Sequence, residues 1–219
     1  MADPRLLSAV ERYYTDKVRT HGATPEGVDW NGEHSQSVRF DQLLAVADSL
    51  EGELSVLDYG CGYGALVEAI AERGPAFRYQ GYDVSTAMVE QARVRTAGDQ
   101  RVSFTDDAAA LEPAAVTVAS GIFNVRLETP PDEWERYVLE TIDRMVAMST
   151  HGVAFNALTS HSDPDRMRSY LHYADPARML DHCLRHYSRD VTLRHDYELY
   201  EFTVLVRLGG RPPVTPPGA

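Results

Sequence analysis

Between Leu54 and Leu158, short apolar runs rich in β-branched residues alternate with stretches of helical period. "LSVLDY" is followed by "GALVEAIAERG", and "FRYQGYDV" by "STAMVEQARVRTAG". "RVSFT" leads into a short acidic turn, and "AVTVAS" into "PPDEWERYVLETIDRMVAMS". "GVAFNAL" is followed by a polar loop and the helix "DPARMLDHCLRHY". Two strands, "DVTLRHDY" and "LYEFTVLVRL", then close the pattern with no helix between them. A strand reached through a crossing helix runs parallel to its predecessor, so this order implies an α/β fold with a mostly parallel sheet covered on both faces. The last pair, joined through "DYEL", is expected to form a tight antiparallel hairpin. Seven strands result. Two helices precede them: "RLLSAVERYYTDKVRT", and "QSVRFDQLLAVADSL" with Ser35 as its cap and Val38, Leu43, Val46 and Leu50 near one face.

Where the first of these strands hands over to a helix, "VLDYGCGYGALVEAI" places Gly60, Gly62 and Gly64 in five consecutive positions. Glycines in such a turn allow positive φ and let a ligand approach the main chain. A dinucleotide-binding loop reads G-x-G-x-x-G, its third glycine packing helix on strand and its helix N-terminus meeting a pyrophosphate. Here the spacing is G-x-G-x-G, with Asp58 inside the preceding strand. A βα turn with no ligand is the plainer alternative. The second strand ends at Asp83, about two dozen residues past the first glycine, where a carboxylate can accept from both hydroxyls of a ribose.

The residues "VLDYGCGYG" resemble the nucleotide loop of class I S-adenosylmethionine (SAM)-dependent methyltransferases, and the resemblance extends over roughly residues 54–160. It implies a Rossmann-like fold with SAM as cofactor. By that resemblance, Asp58 orients the loop and meets the ligand's ammonium group, Asp83 grips the ribose, and Val84 and Met88 lie at the adenine. Asp107, with Ala108 beside it, takes the adenine amine; Asp106 is one step away, and both also suit the start of a short helix. Ser120 and Gly121, in "VASGIF", line the cofactor's underside.

The segment before the sheet, "YYTDKVRTHGATPEGVDWNGEHSQSVRF", looks like the front lid of small-molecule methyltransferases of bacterial biosynthetic pathways. The expected division is a helical lid over residues 1–50, a SAM-binding core over 51–208, and a disordered tail over 209–219, rich in proline and glycine. Trp30 and Tyr14 would offer aromatic faces to a sulfonium and an acceptor. Arg39 would pair with the SAM carboxylate. Asn124 and Arg126 follow the fourth strand, where ligands bind in open α/β sheets, and Arg126 is a candidate clamp for a substrate carboxylate. The insert "NALTSHSDPDRMRSYLHYADP" contributes His161 and then Tyr173 as candidate general bases. His182 and His186 stand one turn apart on a helix, without the partners a metal site needs, so no metal is expected.

Composition narrows the function further. A net charge of −12 repels phosphate backbones, and no apolar run approaches a membrane span, so neither nucleic acid nor membrane is an expected partner. "SGIFNVR" carries none of the motifs of nucleobase methylation. The N-terminus does not read as a secretory signal, and two cysteines, Cys61 and Cys183, imply no disulfide framework, which fits a reducing cytoplasm. The expected activity is methyl transfer from SAM to a small molecule, at oxygen, in a biosynthetic pathway. Nitrogen or carbon acceptors, a non-catalytic SAM-binding subunit and an NAD-dependent oxidoreductase are the alternatives. Oligomeric state is left open.

Overall fold

The computed structural model describes residues 4–74, 76–210 and 212–213, with the side chains of residues 4 and 5 excepted. Its centre is a seven-stranded sheet in the order β3-β2-β1-β4-β5-β7-β6. The strands are β1 (Leu54–Tyr59), β2 (Phe77–Tyr82), β3 (Val102–Thr105), β4 (Ala114–Ala119), β5 (Ser149–Leu158), β6 (Val191–Arg194) and β7 (Glu201–Arg207). The first five are parallel to their neighbours, and β7 inserts antiparallel between β5 and β6. The expected closing hairpin is present, but residues 195–200 separate its strands, so its connection is wider than a tight "DYEL" turn. The order reverses at β1/β4, and the carboxyl ends of those two strands open a crevice there.

Six helices cover the sheet: α1 (Pro4–His21), α2 (Glu33–Leu44), α3 (Leu66–Arg73), α4 (Thr86–Arg95), α5 (Pro131–Ala147) and α6 (Pro176–His186). Helix α5 starts on a proline, whose missing N–H costs nothing in the first turn. It buries Trp134, Val138, Thr141, Ile142 and Met145, one helical face laid on the sheet. Asp175 caps α6 by accepting from the Ala177 and Arg178 amides at 2.8 and 3.3 Å.

One apolar cluster joins α2, α3 and α4 to one sheet face, around Leu43, Leu44, Val56, Leu66, Ile70 and Val89. The other joins α5 and α6 to the opposite face, around Phe123, Trp134, Ile142, Phe155 and Phe202. Helix α2 therefore belongs to the packed body, and α1 joins it as well, with Val18 in the first cluster and Leu6 in the second. The buried residues of α2 are Ser35, Gln36, Arg39, Phe40, Leu43 and Leu44; of the residues expected near one face, Leu43 and Val46 are fully buried and Leu50 packs on the same cluster, while Val38 is half-buried. Gly32, not Ser35, stands at the N-cap of α2; Ser35 lies inside the first turn and its hydroxyl donates to the Gly32 carbonyl. Of the expected tail, residues 211 and 214–219 lie outside the described residues.

Candidate active site

The β1–α3 loop is built as its glycines demand. Gly60, Gly62 and Gly64 have φ of +87°, +52° and +78°. At Gly60 sterics add to the conformational need: a Cβ there would lie 2.1 Å from Ile122 Cγ2. The loop is tied to the end of β2, since the Gly60 and Cys61 amides both donate to the Tyr82 carbonyl, at 2.7 and 2.8 Å.

Asp83 fixes the same junction from its side chain. Its Oδ2 accepts from the Gly62 amide and its Oδ1 from the Ser85 amide, both at 2.9 Å. Ser85 in turn caps α4, accepting from the Met88 amide, and shares a buried 2.7 Å bond with Thr15 of α1. Asp58 is also buried, with the Tyr79 hydroxyl donating to Oδ2 at 2.6 Å. Burial pushes Asp58 up to about 7 and Asp83 to about 6, with hydrogen bonds opposing the shift in each. Each carboxylate still has lone pairs beyond these bonds. Two buried carboxylates beside one loop are electrostatically incomplete, and a cationic ligand would complete them.

Asp58, Gly60, Gly62, Asp83, Val84, Met88 and Ser120 line one cleft, with about 850 Å³ free of protein atoms, its open mouth included, while Gly64 lies against Ala92 and Phe104 and does not line it. Its remaining wall is apolar and aromatic: Leu7, Val10 and Tyr14 from α1, Val28 and Trp30 from the following segment, Phe40, and Tyr59 and Tyr137 from the sheet and α5. The donor set, the glycine cradle and the aromatic wall together fit SAM. Tyr59, at the end of β1, and Tyr137, on α5, were not among the expected site residues; for Tyr137, nothing in the spacing of a long amphipathic helix shows which residue reaches a cleft. Gln36 also lines it and donates to the Tyr63 hydroxyl at 2.8 Å.

Several expected site residues lie elsewhere. Arg39 is buried behind Trp30, its guanidinium carbon 5.1 Å from the indole centroid and its Nε 2.8 Å from a Glu201 carboxylate oxygen. It is committed to a partner 162 residues away, which no local pattern reveals. Asp107 is exposed and caps the 3-10 turn Ala108–Ala110, accepting from the Ala109 amide at 2.8 Å, while Asp106 takes the Thr86 hydroxyl. The helix-start reading therefore describes Asp107, and neither aspartate nor Ala108 lines the cleft.

Arg126 spends its guanidinium on backbone carbonyls: Leu171 at 3.2 Å, Leu127 at 3.4 Å, Thr129 at 2.7 Å, and Ser169. It pins a loop in which Leu127 takes φ +54°, a costly conformation for a bulky residue. Asn124 is structural too, accepting from the Leu158 amide at 3.1 Å. His161 is exposed beside Thr159 and Ser160. The Tyr173 hydroxyl accepts from the Arg168 amide at 2.9 Å, and its ring lines a separate depression with His172, His182 and His186. Neither candidate base faces the cleft. Among the described residues, no group of three or more His, Cys, Asp or Glu is placed to hold a metal ion.

Comparison with known proteins shows the family. Residues 56–148 match the family model described as a methyltransferase domain. Over 153 residues the chain is 48% identical to Rv1506c of Mycobacterium tuberculosis (strain ATCC 25618 / H37Rv), a protein that bears the name of a methyltransferase; the match spans 70% of this chain and 92% of that one. The chain belongs to the class I SAM-dependent methyltransferases. Among solved structures, magnesium protoporphyrin IX methyltransferase from Synechocystis PCC 6803, with bound SAM, superposes with a TM-score of 0.63 at 17% identity, covering 92% of this chain and 96% of that one. The N-methyltransferase NodS from Bradyrhizobium japonicum WM9, with bound S-adenosylhomocysteine (SAH), gives a TM-score of 0.65 at 17% identity, covering 91% and 98%. At that identity, these structural likenesses establish the fold alone. No helix among the described residues is long and apolar enough to cross a membrane.

Proposed function

We propose that this methyltransferase transfers the SAM methyl group to an oxygen atom of a small, largely apolar acceptor in a biosynthetic reaction. One observation carries the reading: a single cleft joins two buried carboxylates under a glycine loop to a wall of tyrosine, tryptophan and aliphatic side chains. When bound, SAM supplies an electrophilic methyl group on a sulfonium. Asp83 would hold the ribose hydroxyls with its remaining lone pairs, and Asp58 would meet the amino end. Val84 and Met88 would lie at the adenine, with Ser120 and Gly121 beneath. The rings of Tyr14, Trp30 and Tyr59 would surround the positive sulfur and keep water out.

Holding the acceptor in line with the methyl–sulfur bond supplies most of the rate in such a transfer. Burial pushes the Tyr14 and Tyr137 phenols well above their usual range, so at neutral pH both keep their protons and neither serves as a general base. That suits an acceptor oxygen already ionised on arrival, a carboxylate or an acidic phenol.

The test is incubation with SAM carrying a deuterated methyl group and a panel of small carboxylates, phenols and amines, read by mass spectrometry. Labelled ester or aryl ether from the oxygen acceptors supports the reading. Label confined to amines would overturn it.

A further inference from the structure

Glu201, at the start of β7, is fully buried and lines no part of the cleft. It nevertheless reaches the cleft in two directions. One runs through Arg39, whose Nε lies 2.8 Å from Glu201 Oε1 and whose guanidinium covers the back of Trp30. The other runs through Asn156 on β5, whose Nδ2 lies 3.5 Å from both Glu201 Oε1 and Ser120 Oγ. Asn156 Oδ1 also accepts from the Gly121 amide at 2.7 Å. The two directions meet again: a Cβ on Gly121 would sit 3.3 Å from Trp30 Nε1, so the Trp30 wall rests on the Ser120–Gly121 floor.

The pair's geometry is poor for an ion pair kept only for stability. The Arg39 Nε–H is not aimed at the nearby carboxylate oxygen, and both Arg39 Nε and Glu201 Oε2 lack hydrogen-bond partners. Removing two charges from water costs more than such a pair returns unless its hydrogen bonds are complete, and apolar residues of similar size commonly replace buried pairs without loss.

We propose that Glu201 is a positioning residue for the cofactor cleft, using Arg39 to set the Trp30 wall and Asn156 to set the Ser120–Gly121 floor. The proposal rests on the reading that this cleft holds SAM. Glu201 touches neither cofactor nor acceptor; it fixes the residues that do. The other charged or titratable group nearby is Tyr197, whose hydroxyl bonds Thr203 at 2.8 Å, leaving Arg39 as the counter-charge.

The experiment measures SAH binding by calorimetry, together with the change in tryptophan emission when SAH is added, with Trp30→Phe identifying the Trp30 share. The proteins are wild type, Glu201→Gln and the double variant Arg39→Met/Glu201→Met. The double variant removes both charges at similar volume, so it tests the proposal even where Glu201→Gln fails to fold. Expected is a double variant that melts at or above the wild-type temperature, binds SAH at least tenfold more weakly and loses the Trp30 response. A folded double variant with wild-type affinity and the full Trp30 response would overturn the positioning role while leaving the cofactor reading intact. Wild-type protein that does not bind SAH would refute the cofactor reading itself.

Discussion

Asp83→Asn separates what this carboxylate does for the fold from what it does for the ligand. Burial raises Asp83 from 3.8 to about 6, with its bonds to the Ser85 and Gly62 amides opposing the shift. A raised carboxylate pKa means that the folded state disfavours the ionised form: the penalty is nil below about pH 4, grows between about pH 4 and 6, and is complete above that. Two pKa units correspond to about 3 kcal/mol. Asparagine removes that penalty but turns an amide N–H₂ toward the Gly62 or Ser85 N–H, costing about 1–3 kcal/mol. The two effects nearly offset, so the melting temperature near neutral pH is expected to move by only a few degrees.

Ligand binding has no such compensation. Each bond from a ribose hydroxyl to the ionised carboxylate is worth about 1.5–3 kcal/mol, so losing one lowers affinity by tenfold or more. Calorimetric titration with SAH, alongside thermal melts, reads both quantities. A folded Asp83→Asn protein that binds SAH like wild type would refute the ribose assignment.

Asp58, held at about 7, takes up a proton as pH falls through neutrality. The proton competes with the SAM ammonium group for Asp58, so SAM affinity is expected to fall by up to tenfold per unit below about pH 7; calorimetry across that range should show a flatter profile for Asp58→Asn. Gly60→Ala would put a Cβ 2.1 Å from Ile122 at φ +87° and is expected to abolish SAH binding. Gly98→Ala, at φ +89° with open space around it, is its control and should cost only about 1–2 kcal/mol in a denaturant titration, with binding intact. Arg126→Ala removes the clamp on the strained Leu127 turn, so hydrogen exchange should quicken over residues 124–130 and 168–172 while SAH affinity stays within about twofold.

The parts of this protein legible in sequence were those set by local rules. Strand–helix alternation gives parallel strands, the spacing of Gly60, Gly62 and Gly64 gives the loop, and the strand-end position of Asp83 puts its carboxylate in the same cleft. What stayed hidden depends on partners distant in the chain. Arg39 looked available because Glu201 lies on the last strand. Arg126 looked like an anion clamp because the carbonyls of Ser169 and Leu171 reach it only after the 159–175 loop folds back, through bridges at Val125–Leu171 and Thr159–Ala174. His161 and Tyr173 have suitable chemistry, but residue type alone does not tell which side of a loop faces the cleft.

The central claim, that the glycine-loop cleft is the SAM site, is tested most directly by a crystal structure of the full chain grown with SAH. The expected result is one SAH per chain, its ribose hydroxyls on Asp83, its adenine beside Val84 and Met88, and its amino-acid end near Asp58 and Gly60. SAH bound outside this cleft, or in it with the ribose away from Asp83, would contradict the account.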